Sequence, residues 1–349
     1  MKKKKTKKKV PKKAKTMNKA KNWLGYQSNF IEGHEVPMPK FPADLIPDLA
    51  VNSETGKHVF DFIYYSSVHS LSRKMPYYSA SNIFRDHWVK SERAGTFKAD
   101  ERLLNTYQYS DDIYSQVNKK HAENNRKVDK GHLVRREDVQ WDENKNEDNA
   151  IEAAKSTFFY TNACPQHHQL NNEIWKYLES SILIKGHSKK PEKAIVFTGP
   201  IFNDNDPNLV FPEGVNYELK CPIRFWKVIY YVNEQNELRC AAFIMSHKLL
   251  MERDGHIVYK PKVRSLKAIT EKTDIPFLMF EENEKYQITL SLLSELTNLT
   301  FPKAKEGLTE EQRYSKLTSK PTKTVRSLKM VTESFTHPEL PIEIEGLFL

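Results

Sequence analysis

The stretch Lys127–Trp141, KVDKGHLVRREDVQW, combines one imidazole with acids, a glycine and several bases. His132 titrates near neutral pH and can take a proton from water, which makes it a candidate general base. Asp129 can orient the backbone or the ring, and Gly131 permits a turn that other residues resist. The alternative is a turn histidine that makes ordinary hydrogen bonds, and His132 taken alone favours that interpretation.

Basic side chains flank this histidine on both sides. They are Lys130, Arg135 and Arg136. Ammonium and guanidinium groups suit phosphate, and a guanidinium binds it in a bidentate geometry. The pattern therefore indicates chemistry on a phosphate ester, with these three residues and Asp129 as candidates for substrate binding.

A second stretch, NACPQHHQLNNEIWKYLE, covers residues 162–179. An α-helix turns by about 100° per residue, so a helix from Asn171 places Glu179 on the same side, about 12 Å along the axis. An asparagine oxygen is a hard, neutral ligand that suits Mg²⁺, and a carboxylate two turns on can hold its hydration water. The alternative is a helix-capping asparagine and a solvated glutamate, both of which are common.

Zinc is not favoured, because His167 and His168 are adjacent and point in different directions, and no cysteine has suitable spacing. The three cysteines, which give no disulfide framework, are Cys164, Cys221 and Cys240. A turn expected at 233–237 sets Tyr230, and not Cys221, opposite Cys240. All three thiols are therefore predicted to be free, which favours a reducing compartment.

Together these segments resemble the DNA/RNA non-specific endonuclease family, the ββα-metal group that includes endonuclease G. The family pattern D-x-G-H, then N-x-x-P-Q and L-N-x-x-x-W-x-x-L-E, is matched in register by Asp129–His132, Asn162–Gln166 and Leu170–Glu179. The segments FTGPIF, FWKVIYY and AAFIM resemble its later strands, at residues 197–202, 225–231 and 241–245. The resemblance covers roughly residues 56–300.

The resemblance implies a role for each matching residue. His132 corresponds to the family's general base, and Asn171 to its single direct protein ligand of Mg²⁺. Glu179 corresponds to the carboxylate that orients hydration water of the metal. Asn162 corresponds to a site asparagine that supports the metal and the base.

Two positions depart from the family pattern. Lys130 stands where the family usually has arginine, which keeps the charge and loses the bidentate geometry. The family also uses an arginine upstream of the histidine, and the stretch nearest to that setting is ERAGTFKAD at 92–100. This makes Arg93 the candidate for offsetting the charge that develops on phosphorus, although a gap separates the two patterns.

The implied activity is Mg²⁺-dependent hydrolysis of phosphodiester bonds in DNA and RNA, with 5′-phosphate products, little sequence preference and Mn²⁺ as a substitute metal. Neutral His132 would activate water for in-line attack on phosphorus. Two alternatives stay open. One is a catalytically degenerate nucleic-acid-binding protein on the nuclease scaffold, and the other is a phosphodiesterase for small molecules. Metal-dependent loss of supercoiled plasmid would decide between nuclease and binding protein.

A lysine-rich arm occupies residues 1–22, which contain twelve lysines and no acid. The formal net charge of the whole chain is +10, so the remainder is nearly neutral. Such a block repels itself and has nothing apolar to bury, which predicts disorder. Its charge suits a polyanion such as nucleic acid, and a targeting tail is the alternative.

The predicted organisation after the arm is an irregular, proline-rich lead-in at 23–55, a ββα-metal nuclease domain at 56–300 and a C-terminal extension of that domain at 301–349. Strands with segregated helices predict an α+β fold, a central antiparallel sheet flanked by helices. Strands are expected at 58–68, 156–165, 194–201, 224–232 and 238–246, helices at 171–184, 264–273 and 308–318, and a loop at 105–128.

No stretch reaches the length of an apolar membrane span, and no apolar segment follows the lysines as in a secretory signal. The expected location is therefore cytoplasmic, or associated with the nucleoid or nucleus. DNA and RNA are the expected partners. A homodimer, which rests on analogy with the family, and an inhibitor protein that restrains the enzyme inside the cell both stay open.

Overall fold

The computed structural model describes residues 23–92, 95–121, 123–171, 193–258, 285–321 and 342–345. The predicted helix at 264–273 lies outside these ranges, as does the helix at 171–184 apart from Asn171. Among the described helices, none is long and apolar enough to cross a membrane.

Strands are the main secondary structure of the described residues. They are β1 (Phe60–Asp61), β2 (Tyr65–Ser70), β3 (Met75–Phe84), β4 (Val128–His132), β5 (Ala163–His167), β6 (Lys193–Ile201), β7 (Arg224–Val232), β8 (Leu238–Ser246), β9 (Lys285–Ile288), β10 (Lys305–Glu306), β11 (Tyr314–Pro321) and β12 (Ile342–Glu345). The α-helices are α1 (Asp111–Val117), α2 (Glu147–Ser156), α3 (Lys248–Arg253) and α4 (Leu290–Thr297). Short 3-10 helices lie at Ile46–Asp48, Arg85–His87, Asn105–Tyr107, Asn124–Arg126, Arg136–Asp138 and Tyr160–Asn162.

Within this part of the chain the strands form one large sheet and one small one. The large sheet has ten strands, and nine of them follow the order β1-β2-β3-β6-β7-β8-β9-β11-β12, with neighbours antiparallel. The tenth, β10, pairs with β8 in parallel. Strands β4 and β5 form a separate antiparallel ribbon. The α+β class with a central antiparallel sheet is therefore confirmed.

Side chains bury both faces of the large sheet. Along β7, Trp226 and Tyr230 belong to the core on one face, and Phe225 and Ile229 to the core on the other. This alternation explains why the strand reads as a nearly continuous apolar run. Helix α4 and lead-in residues cover the first face, and helix α1 and the β4–β5 ribbon cover the second. The ribbon thus rests on a rigid, fully buried support.

The lead-in has an irregular backbone that packs tightly against the body. Ile31 and Val36 are buried in the core of the first face. The backbone of Gln27 exchanges two hydrogen bonds with the side-chain amide of Asn82 on β3, at 2.8 and 3.0 Å. Lys40 forms an isolated antiparallel bridge to Thr300. These contacts hold the segment across the sheet without adding a strand to it.

The three central strand predictions are confirmed, since β6, β7 and β8 lie at the expected positions. The hairpin register is also confirmed, with Tyr230 opposite Cys240. All three cysteines are free and buried. These three strands could be predicted from their continuous apolar sequences, because burial on both faces leaves little room for polar residues.

Four other element predictions were wrong in extent or type. The strand at 58–68 is split into β1 and β2 at Tyr64, whose φ of 65° lies in the left-handed region. The strand at 156–165 begins as the end of α2 and a 3-10 turn. The loop at 105–128 contains α1, whose short apolar face (Ile113, Tyr114, Val117) is hidden in a polar composition. In the helix predicted at 308–318, residues 310–312 form a turn and residues 314–318 begin β11, because pairing with β9 overrides a weak helical preference.

Candidate active site

The β4–β5 ribbon carries the D-x-G-H segment. Gly131 pairs with Cys164 and His132 with Ala163, and residues 168–171 turn helical directly after β5. A Cβ placed on Gly131 would overlap the side-chain amide of Gln166. Gly131 was expected to permit a turn, but it lies within a strand. The structure instead indicates that glycine is needed here because the neighbouring strand's side chain lies over its backbone.

His132 ends strand β4 and is half-buried between aromatic rings. Its ring centroid lies 4.5 Å from that of Phe97 and 4.8 Å from that of Phe158, the latter edge-on. These contacts restrict the rotation of the imidazole, and its Nε2 atom is buried although the residue as a whole is partly exposed. A side chain held this way is suited to proton transfer in a fixed direction.

Asn162 fixes the backbone next to His132 through hydrogen bonds. Its side-chain oxygen accepts the backbone N–H of Val134 at 3.0 Å, and its side-chain nitrogen donates to the carbonyls of Val134 and Thr157 at 2.9 and 3.1 Å. Its own carbonyl accepts the N–H of Leu133 at 3.0 Å. The amide is fully buried. Asn162 therefore fixes the two residues that follow the histidine, which is a positioning role without contact to solvent.

Asp129 bridges the ribbon and the helical turn that follows it. One carboxylate oxygen, Oδ2, accepts a hydrogen bond from Nδ2 of Asn171 at 3.0 Å and contacts Nδ1 of His168 at 2.9 Å. Asp129 was expected to bind substrate, and the contacts described place it against the candidate metal ligand. It is thus in position to orient Asn171.

The orientation of Asn171 fits a hard cation. Because its Nδ2 donates to Asp129, its Oδ1 faces away from that carboxylate, and a neutral oxygen in this position is a ligand that Mg²⁺ accepts. Across the described residues, no three His, Cys, Asp or Glu side chains are grouped to hold a metal. Asn171 stays the predicted ligand of the metal. Glu179 lies outside the described residues.

Lys130 extends from the same strand over an aromatic surface. It forms an ion pair with Asp111, the first residue of α1, and this hydrogen bond lowers the pKa of the Asp111 carboxyl. Its Nζ lies 5.8 Å from the ring centroid of Phe97 and 5.9 Å from those of Tyr114 and Tyr160. Since Phe97 also contacts His132, the ammonium and the imidazole lie around one ring.

The two arginines after His132 are engaged by carboxylates. Arg135 bonds Asp138 at 2.9 and 3.2 Å, and Arg136 bonds Glu137 at 2.9 and 3.2 Å. Neighbouring Arg135 and Arg136 lower the pKa of Glu137 despite its burial. A phosphate would have to share these guanidinium groups with their present partners.

Arg93 lies outside the described residues, but the chain on either side of it is placed. The carbonyl of Glu92 accepts a hydrogen bond from Arg136 at 3.1 Å. Gly95, with φ of 127°, packs so closely on Phe158 that a Cβ there would overlap the ring. Since Phe158 also contacts His132, Gly95 and the candidate base lie against the same ring.

A buried histidine attaches the ribbon to the large sheet. His247, directly after β8, is fully buried, and its Nδ1 accepts the backbone N–H of His167 on β5 at 3.1 Å. Its Nε2 donates to the carbonyl of Pro222 at 2.9 Å. These two bonds require a neutral ring with the proton on Nε2. Burial lowers the pKa of His247 to about 3.

Acid should weaken folding through His247. Its folded pKa lies below the unfolded value near 6.5, so the unfolded chain takes up the proton first. The stabilisation is complete above that pH and is lost as the pH falls toward 3. Between pH 6.5 and 4.5 one such group costs about 2 kcal/mol. The free energy of unfolding, measured in urea at pH 7.0 and 4.5, should therefore depend less on pH for His247→Phe than for the wild type. The difference corresponds to about one proton taken up on unfolding.

Other buried groups also titrate and contribute to the pH dependence of the wild type. Only the difference between wild type and His247→Phe therefore reports on His247. Burial lowers the pKa of His69 and His256 to about 4, with the same sign as His247, and raises that of Asp206 to about 7, with the opposite sign. His34→Phe, at a partly exposed site, should keep the wild-type pH dependence. An unchanged pH dependence in His247→Phe would contradict the assignment.

The DNA/RNA non-specific endonuclease family matches residues 49–304 of this chain. That span includes every candidate site residue and most of the large sheet. The chain belongs to this family. The predicted ββα-metal class is thereby confirmed, with the predicted nuclease region of 56–300 falling inside the matched span. Family membership supports a nuclease of the hydrolase class, and the family is metal-dependent.

Two further proteins are similar to this endonuclease-family chain. The uncharacterized protein y4fB of Sinorhizobium fredii (strain NBRC 101917 / NGR234) is 28% identical over 231 residues, which is 64% of this chain and 32% of that protein. The chain thus spans about a third of the length of this relative. The crystal structure of the EndoG/EndoGI complex aligns with 72% of this chain and 89% of that chain, at 16% identity and a TM-score of 0.45.

Sequence reasoning missed one residue of this endonuclease site. His168 was considered only as half of a zinc pair with His167, yet it contacts Asp129. Its neighbour His167 points the other way, to Asp254 at 2.9 Å, as adjacent histidines were expected to do. The signal available was the spacing of three residues between His168 and Asn171, which places both on one side of a helical turn.

Proposed function

We propose that this chain is a metal-dependent, sugar-non-specific endonuclease that hydrolyses phosphodiester bonds of DNA and RNA and leaves 5′-phosphate ends. One observation carries the proposal. Strand β4 bears the candidate base His132 and, three residues earlier, Asp129, whose carboxylate orients the candidate metal ligand Asn171.

His132 would take the proton of the attacking water as the new oxygen–phosphorus bond forms. The bond from phosphorus to the 3′ oxygen then breaks, and that oxygen leaves with a proton from solvent. Phe97 and Phe158 restrict the orientation of the imidazole, and Asn162 fixes the backbone directly after His132. A divalent cation, Mg²⁺ or Mn²⁺, when bound at Asn171 supplies charge stabilisation to the phosphate and the leaving oxygen.

Positive charge around the site would engage the backbone of the nucleic acid rather than its bases. Lys130 lies beside Phe97, next to His132, and Arg135 and Arg136 follow on the chain. In this proposal Arg93 would offset charge on phosphorus, and Glu179 would order the hydration water of the metal. Contacts of this kind carry little sequence information, which accounts for cleavage of both DNA and RNA. The lysine-rich arm of residues 1–22 would add affinity for long polyanions.

Digestion of supercoiled plasmid and of a long RNA tests the proposal. Both should be cut with Mg²⁺ or Mn²⁺, and neither with EDTA. The DNA fragments should accept a 5′ label from polynucleotide kinase only after phosphatase treatment, because their 5′ ends carry phosphate. Protein that binds plasmid tightly but never nicks it with either metal would instead be a nucleic-acid-binding protein on a nuclease scaffold.

A further inference from the structure

We propose that His168 is a positioning residue that fixes the Asp129 carboxylate and thereby sets the affinity of Asn171 for its metal; this inference rests on the proposed function. His168 touches neither the metal ligand nor His132 in the contacts described. Its Nδ1 lies 2.9 Å from Oδ2 of Asp129, the same oxygen that accepts from Asn171. The proposed effect of His168 on the metal is therefore through Asp129.

Two donors on one oxygen restrict the carboxylate more than either does alone. Oδ2 has two lone pairs, and the two hydrogen bonds of 2.9 and 3.0 Å use both. With both present, Asp129 cannot turn about its side-chain bonds without breaking a contact. The Asn171 amide is then held with nitrogen toward Asp129 and oxygen away from it, which is the orientation that a cation requires.

Local backbone structure supports the pairing. Residues 168–171 form a helical turn directly after β5, so His168 and Asn171, three residues apart, lie on the same side of that turn. Asp129 faces them from strand β4, opposite Gln166 on β5. The His168 and Asp129 side chains are 31% and 25% exposed, so the bond lies at the rim of the site.

The adjacent histidine has a different task. His167 contacts Asp254 at 2.9 Å, and its backbone N–H donates to the buried His247. His167 thus serves the attachment of the ribbon, while His168 faces the site. Loss of His168 should leave the fold intact, because its ring is partly exposed and its polar contact is with a side chain on the ribbon.

Metal binding in the absence of nucleic acid is the direct test. Isothermal titration of Mn²⁺ into wild type, His168→Ala and His168→Asn compares three states of the same contact. His168→Ala should weaken metal binding about 10-fold, the lower end for residues that orient a metal ligand. His168→Asn should stay within about threefold of the wild type, because the side-chain nitrogen of asparagine can occupy the position of Nδ1.

A double-mutant cycle tests that His168 acts through Asp129. In an Asp129→Ala background, adding His168→Ala should change Mn²⁺ affinity by less than about twofold, since the shared partner is already gone. In cleavage assays, His168→Ala should need about 10-fold more Mg²⁺ for half-maximal rate and recover most of its rate at saturating metal. His34→Ala, which changes a partly exposed histidine distant in sequence, is the control and should match the wild type.

The outcomes separate this inference from the proposed function. Wild type that cleaves with metal, together with a His168→Ala variant of unchanged metal affinity, overturns the inference alone. A His168→Asn variant as weak as His168→Ala also overturns it. Wild type that binds Mn²⁺ without cleaving, while His168→Ala binds more weakly, supports the positioning role and rejects the nuclease. Wild type that binds no Mn²⁺ overturns both.

Discussion

Replacing His132 with asparagine should slow cleavage of plasmid DNA by at least about 10²-fold while DNA binding remains measurable. Asparagine keeps a polar side chain beside Phe97 and Phe158 and cannot take the proton of an attacking water. Initial nicking rates at saturating Mg²⁺ and DNA binding in EDTA measure the two effects separately. His34→Asn, which alters a partly exposed histidine, should retain the wild-type rate.

The pH profile adds a second readout for the same residue. An imidazole accepts a proton only when it is neutral, so the wild-type rate should fall as acid protonates His132. The residual rate of His132→Asn should lose this dependence over the range in which the protein stays folded. A variant that cuts at nearly the wild-type rate would remove His132 from the mechanism.

Replacing Asn171 with alanine should reduce cleavage by at least about 10²-fold and raise the Mg²⁺ concentration that activity requires. The change deletes the amide oxygen proposed for the metal and the nitrogen that donates to Asp129. Asn171→Asp restores an oxygen but places a second carboxylate against Asp129. It should therefore remain impaired, because the like charges repel when no metal is bound.

The neighbouring asparagine provides a matched control. Asn172→Ala should be mild, because the L-N-x-x-x-W spacing selects Asn171. Rates over a range of Mg²⁺ concentrations, with Mn²⁺ titrations without DNA, distinguish loss of metal from loss of fold. The reverse ranking of the two alanine variants would mean that the site register is shifted by one residue.

The sequence predicted the central strands of the large sheet but not helix α1 or strand β11. The strands β6 to β8 could be predicted because burial on both faces gives continuous apolar runs. Helix α1 could not, since its few apolar residues are diluted by polar ones, and β11 needed the β9 edge to become a strand. At the site, the residue types and spacing identified His132 as the candidate base and Asn171 as the candidate metal ligand.

The contacts of Asp129 and Gly131 were beyond the reach of sequence reasoning because they depend on strand register. The pairing of Asp129 with Gln166 decides which side chain lies over Gly131 and which donors meet the carboxylate. A shift of one residue would turn each of these side chains to the other face. Such register is set by packing of the whole ribbon, and no local pattern encodes it.

The separation of the two ribbon strands along the chain has a kinetic consequence. Residues 133–162, which include helix α2, connect β4 to β5. His132 and the segment that leads to Asn171 therefore meet only after this long connection has closed. The β7–β8 hairpin closes through a short turn, and contacts between distant segments form more slowly than such local ones. During refolding, the central hairpin should therefore be in place before the site exists. A partly folded chain would carry every site residue and still be unable to cut nucleic acid.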